Sequence, residues 1–113
     1  MLKGVLPMLV LHELAVAESY GYELVTRLEA AGLEGIATGT LYPVLSRLER
    51  EGRIASRLVP STSGPARKYY LPTPTGLEHL REAADGWHRL AATVATVLDA
   101  HHRPDPTHPE ESR

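Results

Sequence analysis

The residues best suited to chemistry lie between Thr38 and Tyr70, and the chemistry they suit is gripping a polyanion. Arg47, Arg50, Arg53, Arg57, Arg67 and Lys68 fall in that stretch, interleaved with the hydroxyls of Thr38, Thr40, Tyr42 and Ser46. An Arg fork takes guanine or phosphate bidentately, a hydroxyl takes a phosphate oxygen, and Pro43 contributes shape alone. Covalent chemistry has no comparable support. The chain of 113 residues contains no cysteine, which removes thiolate nucleophiles, thiolate metal sites and disulfides together. It has no glycine-rich phosphate loop, and Ser61 and Ser63 have no base near them in sequence. Of the six histidines, His79 and His88 are nine apart, which is not ligand spacing on one helix face, and His101 and His102 fall where a helix frays. No enzyme activity, metal or cofactor is expected.

The net charge of −2 at first argues against nucleic acid, but the charge is unevenly distributed. Residues 38–72 hold six basic residues against Glu49 and Glu51, a net of +4, while the segments on either side each carry −3. The excess of ten Arg over two Lys, with much Ala, suggests a GC-rich bacterial genome. No apolar run approaches the roughly 20 residues of a membrane span. Pro7, His12 and Glu13 interrupt the apolar run that a signal segment needs, so a cytoplasmic location is expected and a membrane partner is not.

The basic residues need a helix and a hairpin to position them. Leu41, Val44, Leu45 and Leu48 recur at i, i+3, i+4 and i+7, which makes Thr38–Gly52 an amphipathic helix with a dry stripe and an Arg/Tyr/Thr side. Thr38 and Thr40 are candidate N-caps, and Gly52 suits the C′ position. Arg53–Val59 and Arg67–Leu71 are short β-prone runs on either side of P-S-T-S-G-P-A. One of Tyr69 and Tyr70 should pack inward, since they alternate across a strand. Pro72 cannot donate to a ladder and should end the second strand. Helix, glycine, strand, small-residue loop and basic strand follow the order of a winged helix-turn-helix.

Upstream, Leu2 to about Ala17 reads as a helix apolar nearly all round. Ser19 is a candidate N-cap for a second helix from Tyr20 to about Ala31, closed by Gly32 and carrying Leu24, Val25 and Leu28. Downstream, Thr73 as N-cap with Pro74 at N1 starts a long helix, with Thr75–Glu78 as an alternative capping box. Its apolar residues, Leu77, Leu80, Ala84, Trp87, Ala91, Val94 and Leu98, are spaced alternately by three and four, the seam of a helix that packs against another helix. The expected architecture is mainly α with a small β-hairpin wing. A winged helix-turn-helix occupies residues 1–72, a C-terminal dimerisation helix residues 73–102, and a Pro-rich acidic disordered tail residues 103–113. The expected partner of the seam is a second copy, giving a homodimer that uses Leu6, Leu9 and Val10 of the first helix with Leu80, Ala84, Trp87, Ala91, Val94 and Leu98.

Five blocks carry a more specific resemblance: Y-G-Y-E-L (Tyr20–Leu24), G-T-L-Y-P (Gly39–Pro43), R-L-E-R-E-G-R-I (Arg47–Ile54), R-K-Y-Y (Arg67–Tyr70) and T-P-T-G (Thr73–Gly76). In type, order and spacing they resemble the PadR family of bacterial transcriptional regulators, over about residues 2–100. Leu71–Pro72 departs from the family pattern, which has a basic and then an aliphatic residue there. The resemblance implies a DNA-binding homodimer, usually a repressor, that reads an inverted repeat in double-stranded DNA. On this chain the reading surface would be Thr38, Gly39, Thr40, Tyr42, Pro43, Ser46, Arg47 and Arg50 of the helix, with Arg67 and Lys68 of the wing. Arg50 and Arg53 have a second reading, pairing with Glu49 and Glu51. Trp87 also has two readings. It is the largest packing residue of the seam, or, as in family members that sense planar compounds, the platform for a small aromatic ligand between subunits. The rival to a DNA reader is a winged-helix module that binds protein.

Overall fold

The computed structural model describes residues 2–102. Four helices and three short strands follow in the order α1 (Leu2–Val16), β1 (Ser19–Tyr20), α2 (Gly21–Ala30), α3 (Thr38–Arg50), β2 (Ile54–Ser61), β3 (Gly64–Pro72) and α4 (Pro74–His102). The chain divides into two compact units, Met1–Ala83 and Ala84–Arg113. The expected tail, residues 103–113, lies outside the described residues.

The core belongs to the first unit. Leu6, Val10, Leu11 and Leu14 of α1 meet Leu24, Val25 and Leu28 of α2, Leu41, Leu45 and Leu48 of α3, and Ile36, Ile54 and Tyr70. Each fully buried leucine contributes about 1.5–3 kcal/mol. This places Leu6 and Val10, at 2% and 0% exposure, inside their own chain, which corrects their expected role at a dimer interface. α1 is greasy on more than one face because it covers both the helices and the sheet. Leu9 and Leu80 are partly buried against the same core.

Three local expectations need correction. Ser19 is not an N-cap: it pairs with Tyr70 in the edge strand β1, and its buried hydroxyl donates to Glu23 at 2.7 Å. The short strand was hidden because two residues show no alternation. The N-cap of α3 is Ala37, with extended backbone and no side-chain cap, so Thr38 and Thr40 lie inside the helix. The hairpin is also longer than the flanking Pro/Ser/Gly composition suggests, since only Thr62 and Ser63 separate β2 from β3. Pro60 and Pro65 are accommodated beside the irregularity between Val59 and Ser61.

The helix ends follow the sequence. Gly32 and Gly52 take positive φ, and Leu33 and Arg53 donate back to the carbonyls of Leu28 and Leu48, closing α2 and α3 as Schellman motifs. β3 ends at Pro72, as expected. Thr73 caps α4: its Oγ1 accepts from the Gly76 amide at 3.0 Å and donates to the Gly52 carbonyl at 2.7 Å. One hydroxyl thus ties the end of α3 to the start of α4. Arg27, whose role the sequence did not suggest, donates to the Ala17 carbonyl at 2.8 Å and to that of Glu13, joining α2 to the C-terminus of α1.

Candidate nucleic-acid interface

α3 carries its burial on one side, and this fixes what the other side can do. Opposite the Leu41–Leu45–Leu48 stripe, Gly39, Pro43, Ser46 and Arg50 recur at i, i+4, i+7 and i+11, and all are exposed. They are the outermost line of the helix. Because Ala37 offers no side-chain cap, the Thr38 and Gly39 amides have no side-chain cap at the positive end of the helix dipole. Pro43 lacks an N–H, so the Gly39 carbonyl also loses its partner in the ladder.

The other expected residues flank this line. Tyr42 leans toward α2, where its ring and hydroxyl occupy the space that a Cβ on Gly21 would need. Arg47 leans the opposite way and donates from Nε to Glu51 at 3.0 Å. Arg53 also meets Glu51, at 3.4 Å, which is the pairing alternative expected for it. The Arg47 hydrogen bond holds the Glu51 carboxyl below the usual carboxylate range. Arg50 has no ion pair among the described residues.

Arg67 and Lys68 lie on opposite faces of β3. Lys68 faces α3 and meets Glu49 at 3.2 Å, while Arg67 stacks over Tyr20 of β1 at 4.4 Å from the ring centroid. Tyr20 and Tyr69 meet edge to face at 5.3 Å, and Tyr70 is the member of the pair that packs inward. Glu49 also accepts from the Ser56 hydroxyl at 2.6 Å, so one carboxylate near the end of α3 holds both strands of the wing. The Ser56 hydrogen bond, and then Lys68, hold Glu49 below its ordinary pKa. The same contact holds Lys68 above its own. On the far face Arg57 pairs with Glu18. Sequence reading missed Gly21 and Glu18 as partners of the basic surface and offered Glu49 to Arg50 or Arg53, whereas it meets Lys68 and Ser56, because each depends on contacts between separate elements.

Beyond Ala83, α4 exposes Trp87, Leu90, Val94, Val97 and Leu98. Leu90 and Val97 broaden the expected seam into a wider stripe.

The model of the transcriptional regulator PadR-like family matches residues 10–82. The chain belongs to the PadR-like family of transcriptional regulators. It is 38% identical over 87 residues to the transcriptional regulator Rv3488 of Mycobacterium tuberculosis, covering 75% of this chain and 78% of that protein. Among solved structures, the PadR-like regulator BC4206 from Bacillus cereus is 42% identical with a TM-score of 0.79, covering 87% of this chain and 95% of its own. A PadR family regulator from Eggerthella lenta is 43% identical with a TM-score of 0.78, covering 85% and 83%. The family match spans α3, the wing and the first turns of α4, so the surface described above is part of the PadR-like region. Among the described residues, no helix is long and apolar enough to cross a membrane.

Proposed function

We propose that this PadR-like chain is a homodimeric repressor whose two α3 helices read the half-sites of an inverted repeat about one helical turn apart. The observation that carries the reading is the exposed Gly39–Pro43–Ser46–Arg50 line of α3, which begins at an uncapped helix N-terminus. The first-turn amides suit a phosphate, Ser46 and Arg50 suit base edges or backbone, and Pro43 fits a groove by shape. Thr38, Thr40, Tyr42 and Arg47 flank that line and serve the sugar–phosphate backbone. Lys68 faces the same side as α3 and takes phosphate from the wing, while Arg67 reaches DNA only by leaving Tyr20.

Dimerisation uses the exposed stripe of α4 beyond Ala83, in which Trp87, Ala91, Val94 and Leu98 follow heptad spacing. A small planar ligand between the subunits at Trp87 releases the operator by favouring one arrangement of the two reading helices over another.

The test is selection of fragmented genomic DNA by the purified protein, followed by anisotropy of the recovered fragment over a salt series. A palindromic site whose log K falls linearly with log salt is expected. Recovery of nothing beyond random sequence would replace this reading with that of a winged-helix module for a protein partner.

A further inference from the structure

A groove within the first unit runs along one flank of α3 and shares Gly39, Thr40, Pro43 and Arg47 with the reading surface. α1, α3 and the first turns of α4 enclose a space of about 820 Å³, within the size range of small-molecule sites. Its floor is apolar, formed by Leu6, Pro7, Met8, Val44 and Leu48, with Ala83 at the α4 side. Nothing crowds its glycine edges, since a Cβ added at Gly4 or Gly39 would meet no atom within 4 Å.

The polar groups of the groove collect at one end. Arg47 and Arg53 both approach Glu51, each through Nε, at 3.0 and 3.4 Å and to different carboxylate oxygens. Two guanidinium groups against one carboxylate leave a local excess of one positive charge. A guanidinium has five N–H donors, so the Nε contacts leave the terminal nitrogens of both side chains available to a second carboxylate. His79 of α4 lines the same space and adds a ring nitrogen. A cation would face two arginines. Among its described lining residues the groove has no Phe, Tyr or Trp on which a nucleobase could stack.

We infer that this groove is a binding site for a small amphipathic carboxylate, its apolar body on the Leu6–Pro7–Met8–Val44 floor and its carboxylate on Arg47 and Arg53. The occupant touches one exposed flank of α3, including Arg47 and the Gly39–Thr40 turn at the start of that helix. It therefore bears on the reading helix at Thr40 and Arg47, residues that the proposed function also uses. Only this effect on DNA rests on the proposed function, since binding itself is measured without DNA.

The experiment is an amide-shift titration of the full-length labelled protein with sodium octanoate and, in parallel, with octylamine of the same chain length and opposite charge. Saturable octanoate shifts centred on Met8, Val44 and Ala83 are expected, with octylamine at least tenfold weaker. An Arg47→Gln/Arg53→Gln protein should lose at least tenfold in octanoate affinity while unfolding at a similar temperature. Equal binding of the two probes would overturn the site, as would shifts confined to the Trp87 stripe or no saturable shift below the concentration at which octanoate aggregates. On recovered operator DNA, saturating octanoate should weaken binding, and an unchanged affinity would overturn the effect on α3. A failure of DNA binding without octanoate would count against the proposed function and leave the titration result standing.

Discussion

The backbone carbonyl of Arg53 lies where the Cβ of any residue but glycine at position 76 would be. Arg53 follows the Schellman end of α3, and Gly76 is the third residue of α4, so the close approach brings the end of the reading helix against the start of the last helix. The obstacle is backbone and cannot swing away as a side chain can. Gly76→Ala should therefore destabilise the protein by about 2–3 kcal/mol, as overpacking does, with an unchanged m-value in urea. Thr73→Val, which removes the cap but adds no overlap, should cost about 1 kcal/mol. If Gly76→Ala proved the milder of the two, the approach would be looser than described.

If Lys68 takes a phosphate as proposed, Glu49 competes with DNA for it. The carboxylate takes a proton-donating contact from each strand of the wing, and a phosphate would need one of them. Glu49→Gln should tighten operator binding roughly two- to fivefold, since a partly exposed pair is worth up to about 1 kcal/mol, and should steepen the salt slope by about one phosphate contact. Combining it with Lys68→Ala should erase both changes. The folded pKa of Glu49 is depressed, so its small contribution to stability is present above the ordinary carboxylate range and is lost as pH falls through the lowered value. Wild type and Glu49→Gln should therefore converge in stability under acid.

Much of this molecule was legible in its sequence because the signals were local. Gly52 ending α3, Thr73–Pro74 opening α4 and the leucine stripe of α3 are each dictated within a single turn, and all three appear as expected. The errors arise where a residue is claimed by something distant. Ser19 has the side chain of a cap, yet Tyr70, far along the chain, takes it into a strand. Leu6 and Val10 are equally apolar whether they meet a partner or their own α2 and α3, and periodicity cannot distinguish the two. Arg47 is a local exception: Glu51, one turn on, pairs with it and not with Arg50, to which the sequence reading offers that pairing, and this separates the two arginines.

That separation predicts unequal effects on DNA. Arg50 lies on the outer line of α3 without an ion pair among the described residues, whereas Arg47 is paired with Glu51, which offsets the charge it offers a phosphate. Arg50→Ala should cost about 1–3 kcal/mol of operator affinity if it reads a base. Arg47→Ala should cost less and lower the salt slope by about one. Anisotropy of both variants over one salt series on the same fragment measures the difference. Equal losses would mean that Glu51 releases Arg47 freely.

The apolar stripe of α4 beyond Ala83 should hold two copies together. Leu90 and Val94 are 56% and 46% exposed, more than such a run of large apolar residues tolerates in water. Val94→Asp should convert a dimer into a monomer in light scattering at micromolar concentration, with little change in the near-UV signal of the tyrosines in the first unit. A wild-type protein that is already monomeric would refute the stripe as an interface.

Trp87 is the only tryptophan, so its emission reports on the distal part of α4 without interference. It is 37% exposed, and Ala84, Gly86 and Ala91 are its small neighbours along the helix. If two copies face each other there, small residues around a large flat ring leave room for a planar guest, and stacking on the indole gives a hydrophobic cation both area and a cation–π contact. Planar hydrophobic cations should then quench the emission saturably, and Trp87→Ala should abolish their binding by calorimetry while the protein remains folded. Trp87→Phe should retain part of the affinity, because it keeps a ring. If no cation of a varied panel quenches, and Trp87→Ala only weakens the dimer, the residue is packing and the stripe has no ligand site.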